Sequence, residues 1–359
     1  MKHINLEDLG FKQILNTYKF ENQLDSFLVG RVILQHRERY IVLTEQGEVE
    51  SELLGNLRYT AESSMDFPAV GDWVALIEYD TNKGLIHAVY PRETILVRQT
   101  VGRKGEKQII ASNLDFGLIV QSLNRDFSIN RLERYLTICN SSSIKPIIIF
   151  SKVDLVDENE RAKIISQVKE RIKNTPLLTL SNLTGEGLDD VKSIIKTGKT
   201  YCLLGSSGVG KSSLINNITG KDLMKTNGIS NSIDRGKHVT THRELIVLET
   251  GGILIDNPGM REVGIIDSPN GLASTFEQIT ELKKHCKFND CNHISTKGCA
   301  VTSALDSGEL DENVYENFMK LEREQEHYTS TIFEKRQKDK IFGKMVKNVM
   351  KHKKKDRYQ

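Results

Sequence analysis

Residues 200–218 read TYCLLGSSGVGKSSLINNI. An apolar strand, TYCLLG, runs into GSSGVGKS at 205–212 and then into a helix that opens with SLINNI. This is G-x-x-x-x-G-K-[ST] between a strand and a helix, the pattern of a loop that wraps phosphates. Gly205, Gly208 and Gly210 let the backbone turn tightly, so that its N–H groups face phosphate oxygens. The helix N-terminus adds a favourable partial charge. The expected cradle is Gly205, Ser206, Ser207, Gly208, Val209, Gly210, Lys211, Ser212 and Ser213. Lys211 is placed for the β- and γ-phosphates and Ser212 for Mg²⁺.

Upstream, the strand PIIIF ends in Ser151, Lys152, Val153 and Asp154, close to the Asn-Lys-x-Asp pattern of guanine readers. A carboxylate at Asp154 accepts from both N1–H and the exocyclic amine of guanine, and adenine offers neither donor there. Lys152 can cover the base face with its stem. Ser151 is shorter than an asparagine, so weaker bracing and weaker, still guanine-selective binding are expected. The strand PLLTLS leads to Ser181 and Asn182, suited to the guanine carbonyl.

Downstream, GILI is followed by Asp256-Asn257-Pro258-Gly259. Asp256 suits Mg²⁺ through water, and the Gly259 N–H suits the γ-phosphate. Between the two loops lies GKHVTT at 236–241, where Thr240 or Thr241 is placed to contact Mg²⁺ and to act in turnover. Met260 stands where many GTPases have a glutamine that orients water, and a thioether cannot do that work. Slow hydrolysis raised by a partner is expected, with His238 as the candidate for positioning water.

The order of these signals is informative. The base-reading loops precede the phosphate loop, the reverse of the usual arrangement, which describes one sheet with its termini moved. Strands such as FGLIVQSL, PIIIFSK and TYCLLGS alternate with helical stretches such as NRLERYLTICNSS, the texture of a mostly parallel α/β sheet.

Farther along, Cys286-x₄-Cys291-x-His293-x₅-Cys299 offers three thiolates and an imidazole within 14 residues. That set suits one tetrahedral, structural Zn²⁺ with no open position. His285 is a competitor for His293. The remaining cysteines, Cys139 and Cys202, sit on apolar patterns and read as core.

Before the sheet, LVGRVILQ, RYIVLTEQG, GDWVALIEY and GLIHAVYP alternate apolar and polar residues between glycines. Five or so short strands indicate a small barrel, with the OB-fold leading over other small antiparallel barrels. The 359 residues carry 50 Lys plus Arg against 48 Asp plus Glu. The segment 335–359 alone holds 11 basic and 2 acidic residues, with Ile341, Met345 and Val349 at helical spacing. With Arg31, His36, Arg37, Arg39 and Arg58 on the barrel, this end makes salt-sensitive RNA binding the expected partner chemistry. No apolar run is long enough for a membrane span. The start MKHINLEDLGF has no apolar signal region, and five cysteines suit a reducing compartment. A cytoplasmic, monomeric protein with no membrane partner is expected.

GSSGVGKSSLIN, GKHVTTHREL, DNPGMREVG and CKFNDCNHISTKGCAV, in this permuted order, together resemble the bacterial ribosome small-subunit-dependent GTPases of the RsgA type. GRVILQHRERYIVLT, GDWVALIE and SLNRDFSINRLERYL extend the likeness over nearly the whole chain. The resemblance implies a multidomain α/β protein: an extension over 1–26, an OB-fold over 27–98, a circularly permuted P-loop GTPase domain over 99–268, and a zinc-binding helical domain with a basic end over 269–359. It also implies GTP/GDP and Mg²⁺ as cofactors, the small ribosomal subunit and its rRNA as partners, and a late role in maturation of that subunit, with hydrolysis stimulated by it. A non-catalytic, nucleotide-gated RNA-binding module is the competing reading.

Overall fold

Period-two alternation closes the N-terminal part into a barrel. The computed structural model of the chain describes residues 5–36, 39–99, 107–124, 126–220, 244–256 and 269–329. After α1 (Ile14–Glu21) come β1 (Leu28–His36), β2 (Arg39–Thr44), β3 (Gly47–Leu53), α2 (Gly55–Thr60), β4 (Trp73–Asp80) and β5 (Lys83–Val89). The strands pair in the order β1-β2-β3-β5-β4, and β4 returns to β1. Only β3 and β5 run parallel. This closed five-stranded barrel has the OB arrangement. GEVESEL in β3 shows why it forms: Val49, Ser51 and Leu53 point inward while Glu48, Glu50 and Glu52 face water. The interior is filled by Val32, Val42, Val74, Leu76 and Ile86.

Outside the barrel, Leu9, Leu15 and Leu24 of the N-terminal segment pack with Trp73 and Tyr90. Arg31, on β1, holds this junction together. It is 1% exposed and donates to the carbonyls of Leu9 (2.5 Å), Gly71 (3.2 Å) and Asn113 (3.2 Å). Burial lowers its pKa to about 10, against the pull of Asp115 and Asp72, so it stays charged at neutral pH. The expectation that Arg31 faces RNA is therefore corrected. Its guanidinium is spent on three carbonyls from three parts of the chain, whereas Arg39 is exposed beside Glu50 and Glu52. Replacing Arg31 with Met leaves those carbonyls without their donor. A loss of about 3–5 kcal/mol is expected, read as a lowered urea midpoint.

β6 (Ile95–Gln99) and β7 (Lys107–Ser112) form an antiparallel ribbon that leads into the second sheet. There follow β8 (Phe116–Ser122), α3 (Ile129–Ser141), β9 (Lys145–Ser151), a 3₁₀ turn (Val153–Leu155), α4 (Glu158–Arg171), β10 (Leu177–Thr179), α5 (Leu188–Ile194), β11 (Thr200–Leu204), α6 (Lys211–Thr219), β12 (Glu244–Val247) and β13 (Ile253–Asp256). The strand order is β10-β9-β8-β11-β13-β12, parallel except for β12. Near-continuous apolar runs such as Leu118–Val120 and Ile147–Phe150 are buried because helices cover both faces. β12 also touches β1 at Leu34 and Glu244, joining barrel and sheet.

The last described elements are α7 (Pro269–Thr275), α8 (Glu277–Lys283), α9 (Ala300–Asp306) and α10 (Glu312–Thr329). They dock on α3. The buried Glu133 carboxylate accepts from Arg171 of α4 at 2.5 and 2.8 Å and from Asn317 of α10, so one charge is satisfied by two helices. Arg134 pairs with Glu324 at 2.7 Å. Among the described residues no helix is long and apolar enough to cross a membrane.

Candidate functional site: a phosphate loop clasped by two neighbouring loops, and a Cys₃His knuckle

The C-terminal ends of β10, β9, β8, β11 and β13 lie side by side, which is where open parallel sheets bind ligands. The loop after β11 carries residues 205–210, and Lys211 begins α6. Gly205 has φ +148°, and a Cβ there would sit 2.3 Å from the Val120 carbonyl oxygen on the neighbouring strand. Only glycine lets the loop cross so close to β8. Lys211 Nζ curls over the loop and donates to the carbonyls of Gly205 (2.9 Å) and Ser206 (2.7 Å). Ser212 and Ser213 occupy the first turn of α6, half-buried. Asp256 ends β13, buried, one strand away from the loop.

The loops that follow β9 and β10 hold the phosphate loop directly. Ser151 Oγ, fully buried, donates to the Val209 carbonyl at 2.6 Å. β9 brings the serine close enough for its short side chain to reach the loop. Asn182 Nδ2 donates to the Gly210 carbonyl at 3.1 Å, and Asn217 of α6 donates to the Asn182 side chain and backbone. Ser181 is buried and its hydroxyl accepts from the N–H groups of Leu183 and Thr184, closing that turn.

Lys152 takes the left-handed conformation at φ 59°, which swings the chain into the 3₁₀ turn. Val153 drops into the core and Asp154 stands exposed on the rim. Replacing Ser151 with Ala removes one loop brace. A loss of roughly 1 kcal/mol, near fivefold in nucleotide affinity, is expected by titration with a fluorescent guanine nucleotide.

A cavity of about 730 Å³ beside the loop is lined by Lys152, Ser206, Ser207, Gly208, Arg131 and Arg134 among others. Arg131 Nη1 donates to Ser206 Oγ at 3.1 Å. Neither Arg131 nor Asn217 was singled out by the sequence reading. No phosphate- or base-binding pattern marks them: Arg131 reaches Ser206 of the phosphate loop and Asn217 reaches the turn at Asn182, each from a helix. His238, Thr240, Thr241, Gly259, Met260, Arg37 and the basic segment 335–359 lie outside the described residues.

The knuckle stands apart from this edge. Sγ of Cys286 lies 3.9 Å from Sγ of Cys299, and the two sulfurs lie 3.7 and 3.6 Å from Nδ1 of His293. With Cys291, all ligand atoms fall within 4.8 Å of one another. A tetrahedron with Zn–S near 2.3 Å and Zn–N near 2.0 Å has edges of roughly 3.5–3.8 Å, so the donor set fits zinc. His285 is exposed and outside the cluster, which resolves the competition in favour of His293.

The surroundings prepare the ligands. Burial opposes ionisation of Cys299. The N–H of Thr302 in the first turn of α9, with His293 and Cys291, outweighs it and brings the thiol down to about 6. Desolvation pushes the Cys286 thiol up. His293 has φ 56°, and its carbonyl accepts from Tyr315 of α10 at 2.7 Å, which fixes the turn that aims the ring.

Residues 89–266 match the family model described as RsgA GTPase. A relative from Bacteroides thetaiotaomicron, small ribosomal subunit biogenesis GTPase RsgA 1, is 39% identical over 350 residues, 97% of this chain and 98% of its own. YjeQ from Thermotoga maritima is similar in structure, with a TM-score of 0.61 and 26% identity over 83% of this chain and 98% of its own. YloQ, a circularly permuted GTPase, has a TM-score of 0.59 at 24% identity over 86% of this chain and 98% of its own.

Proposed function

From the premise that the chain belongs to the RsgA GTPase family and is a GTP-hydrolysing enzyme, we propose that it acts in late maturation of the small ribosomal subunit. It binds the subunit and its rRNA in the GTP state, as a cytoplasmic monomer, and leaves after hydrolysis that the subunit stimulates. The observation that carries the nucleotide part is the clasp: Ser151 on Val209 and Asn182 on Gly210 join both base loops to one phosphate loop, although 28 to 58 residues separate the partners. The ribosomal part is supported by the likeness to the Bacteroides thetaiotaomicron protein over nearly its full length.

In this reading the N–H groups of residues 205–210, Lys211 and the start of α6 hold the phosphates. Ser212, Asp256 and Thr240 or Thr241 would hold Mg²⁺, which would supply charge neutralisation to the phosphates. Gly259 senses the γ-phosphate, and His238 positions water. Lys152 covers the base, Asp154 selects guanine, and the turn at Ser181 and Asn182 receives its carbonyl. Zinc is structural, held by Cys286, Cys291, His293 and Cys299. RNA affinity falls with salt.

Single-turnover GTP hydrolysis with and without purified small subunits tests the proposal. Slow turnover alone, raised about 10²-fold or more by subunits, is expected. Turnover indifferent to subunits would remove the ribosomal part while leaving the GTPase.

A further inference from the structure

Between α3 and α4 on one side and α7, α8 and the start of α10 on the other lies a groove of about 1030 Å³. Phe127, Ile129 and Val314 contribute to an apolar lining. Its rim is acidic: the exposed carboxylates of Glu170, Glu277, Glu309 and Asp311 surround it. Arg171 at the wall is already committed to Glu133, which leaves Lys173 as the other cation among the described lining residues. The nucleotide site does not use this groove.

We propose that this groove docks the chain's own basic end, residues 338–355, and that RNA competes for the same lysines. Three observations converge. The first is charge: an acidic rim faces a segment in which basic residues outnumber acidic ones 11 to 2 over 335–359. The second is patterning: Ile341, Met345 and Val349 recur every four residues and match an apolar floor framed by carboxylates.

The third is reach. α10 borders the groove at Asn313 and Val314 and ends at Thr329, about 27 Å along its axis. Thirty residues follow Thr329. Roughly ten extended residues span the distance back, which leaves the lysine-rich part to lie on the rim. RNA would be repelled by the same carboxylates, so the basic segment is either parked here or held by RNA.

Zero-length carbodiimide cross-linking of the full-length chain, mapped by mass spectrometry, tests this. Amide links between lysines of 338–355 and Glu277, Glu309 or Asp311 are expected within the monomer. They should fall with salt and with added oligouridylate. The Lys284–Glu281 pair, 2.5 Å apart, is the internal control. In the double variant Glu277→Gln, Glu309→Gln, oligouridylate affinity should rise severalfold, because freeing a mostly docked segment raises the competent fraction.

The control link without tail links overturns the proposal. So do tail links found only in a covalent dimer, which would give the groove to a second copy, and RNA affinity unchanged in the double variant. The ribosomal reading stands or falls separately, on subunit-stimulated turnover.

Discussion

Stripping the metal from Cys286, Cys291, His293 and Cys299 is expected to open the C-terminal module while the barrel and the nucleotide sheet stay folded. The segment that carries the ligands, 285–299, has almost no regular structure and exposes Phe288 and Ile294. Its own ties are small: the Asn292 carboxamide accepts from the N–H groups of Ile294 and Ser295, and the Lys287 N–H donates to Gly298. Without a metal, three sulfurs and an imidazole within 4.8 Å gain nothing from their closeness.

Structural zinc in small knuckles contributes on the order of 10 kcal/mol to folding. Here part of the module has its own apolar support, since Phe276 stacks edge-on against Phe318 at 5.5 Å. The expected outcome is a rise of 100-fold or more, about 3 kcal/mol, in hydrogen exchange over 285–306 on chelation. β8, β9 and β11 should keep their protection. One equivalent of zinc should be released in a colorimetric assay. Exchange that does not change on chelation, or metal absent from the purified chain, would contradict the structural role. Cys299→Ser should reproduce the effect, because its sulfur belongs to the donor cluster that fits zinc and also receives the Thr302 N–H at the start of α9.

Asp154→Asn should reverse base preference. The carboxylate is exposed at the rim, on a turn that Ser151 and the Leu155 N–H to Lys152 carbonyl bond hold in place. The substitution therefore has no buried partner to orphan, and the fold is expected to survive it. If Asp154 reads guanine as proposed, two charge-assisted hydrogen bonds to the base are lost. At about 1.5–3 kcal/mol each, the KM for GTP should rise by roughly 10²–10⁴-fold. Xanthine carries a carbonyl where guanine has its amine, so an amide side chain can donate to it. Xanthosine triphosphate turnover should then approach the parent's turnover of GTP. A KM for GTP that stays within threefold would take Asp154 out of base reading.

The glycine-lysine-serine loop, the SKVD turn and the cysteine spacing were legible in the sequence because each is a local pattern with a fixed chemical demand. The closed barrel was legible as alternation, although β3 and the β6–β7 ribbon were not picked out. Charge alone misled at Arg31. A sequence shows a cation on a strand, but only the packing of Leu9, Gly71 and Asn113 around it shows that its donors face inward.

What the amino-acid sequence determined by itself was the inventory: which residues could grip phosphate, read a purine or bind zinc, and in what order. Spacing along a loop or strand is set by short-range backbone geometry, so it survives in one dimension. The tertiary structure decided which groups meet. Ser151 reaches Val209, Arg131 reaches Ser206, and His293 rather than His285 enters the knuckle. These are contacts between elements, fixed by strand order and helix docking. A hydrogen bond changes from absent to strong over about an ångström, a margin no residue spacing specifies.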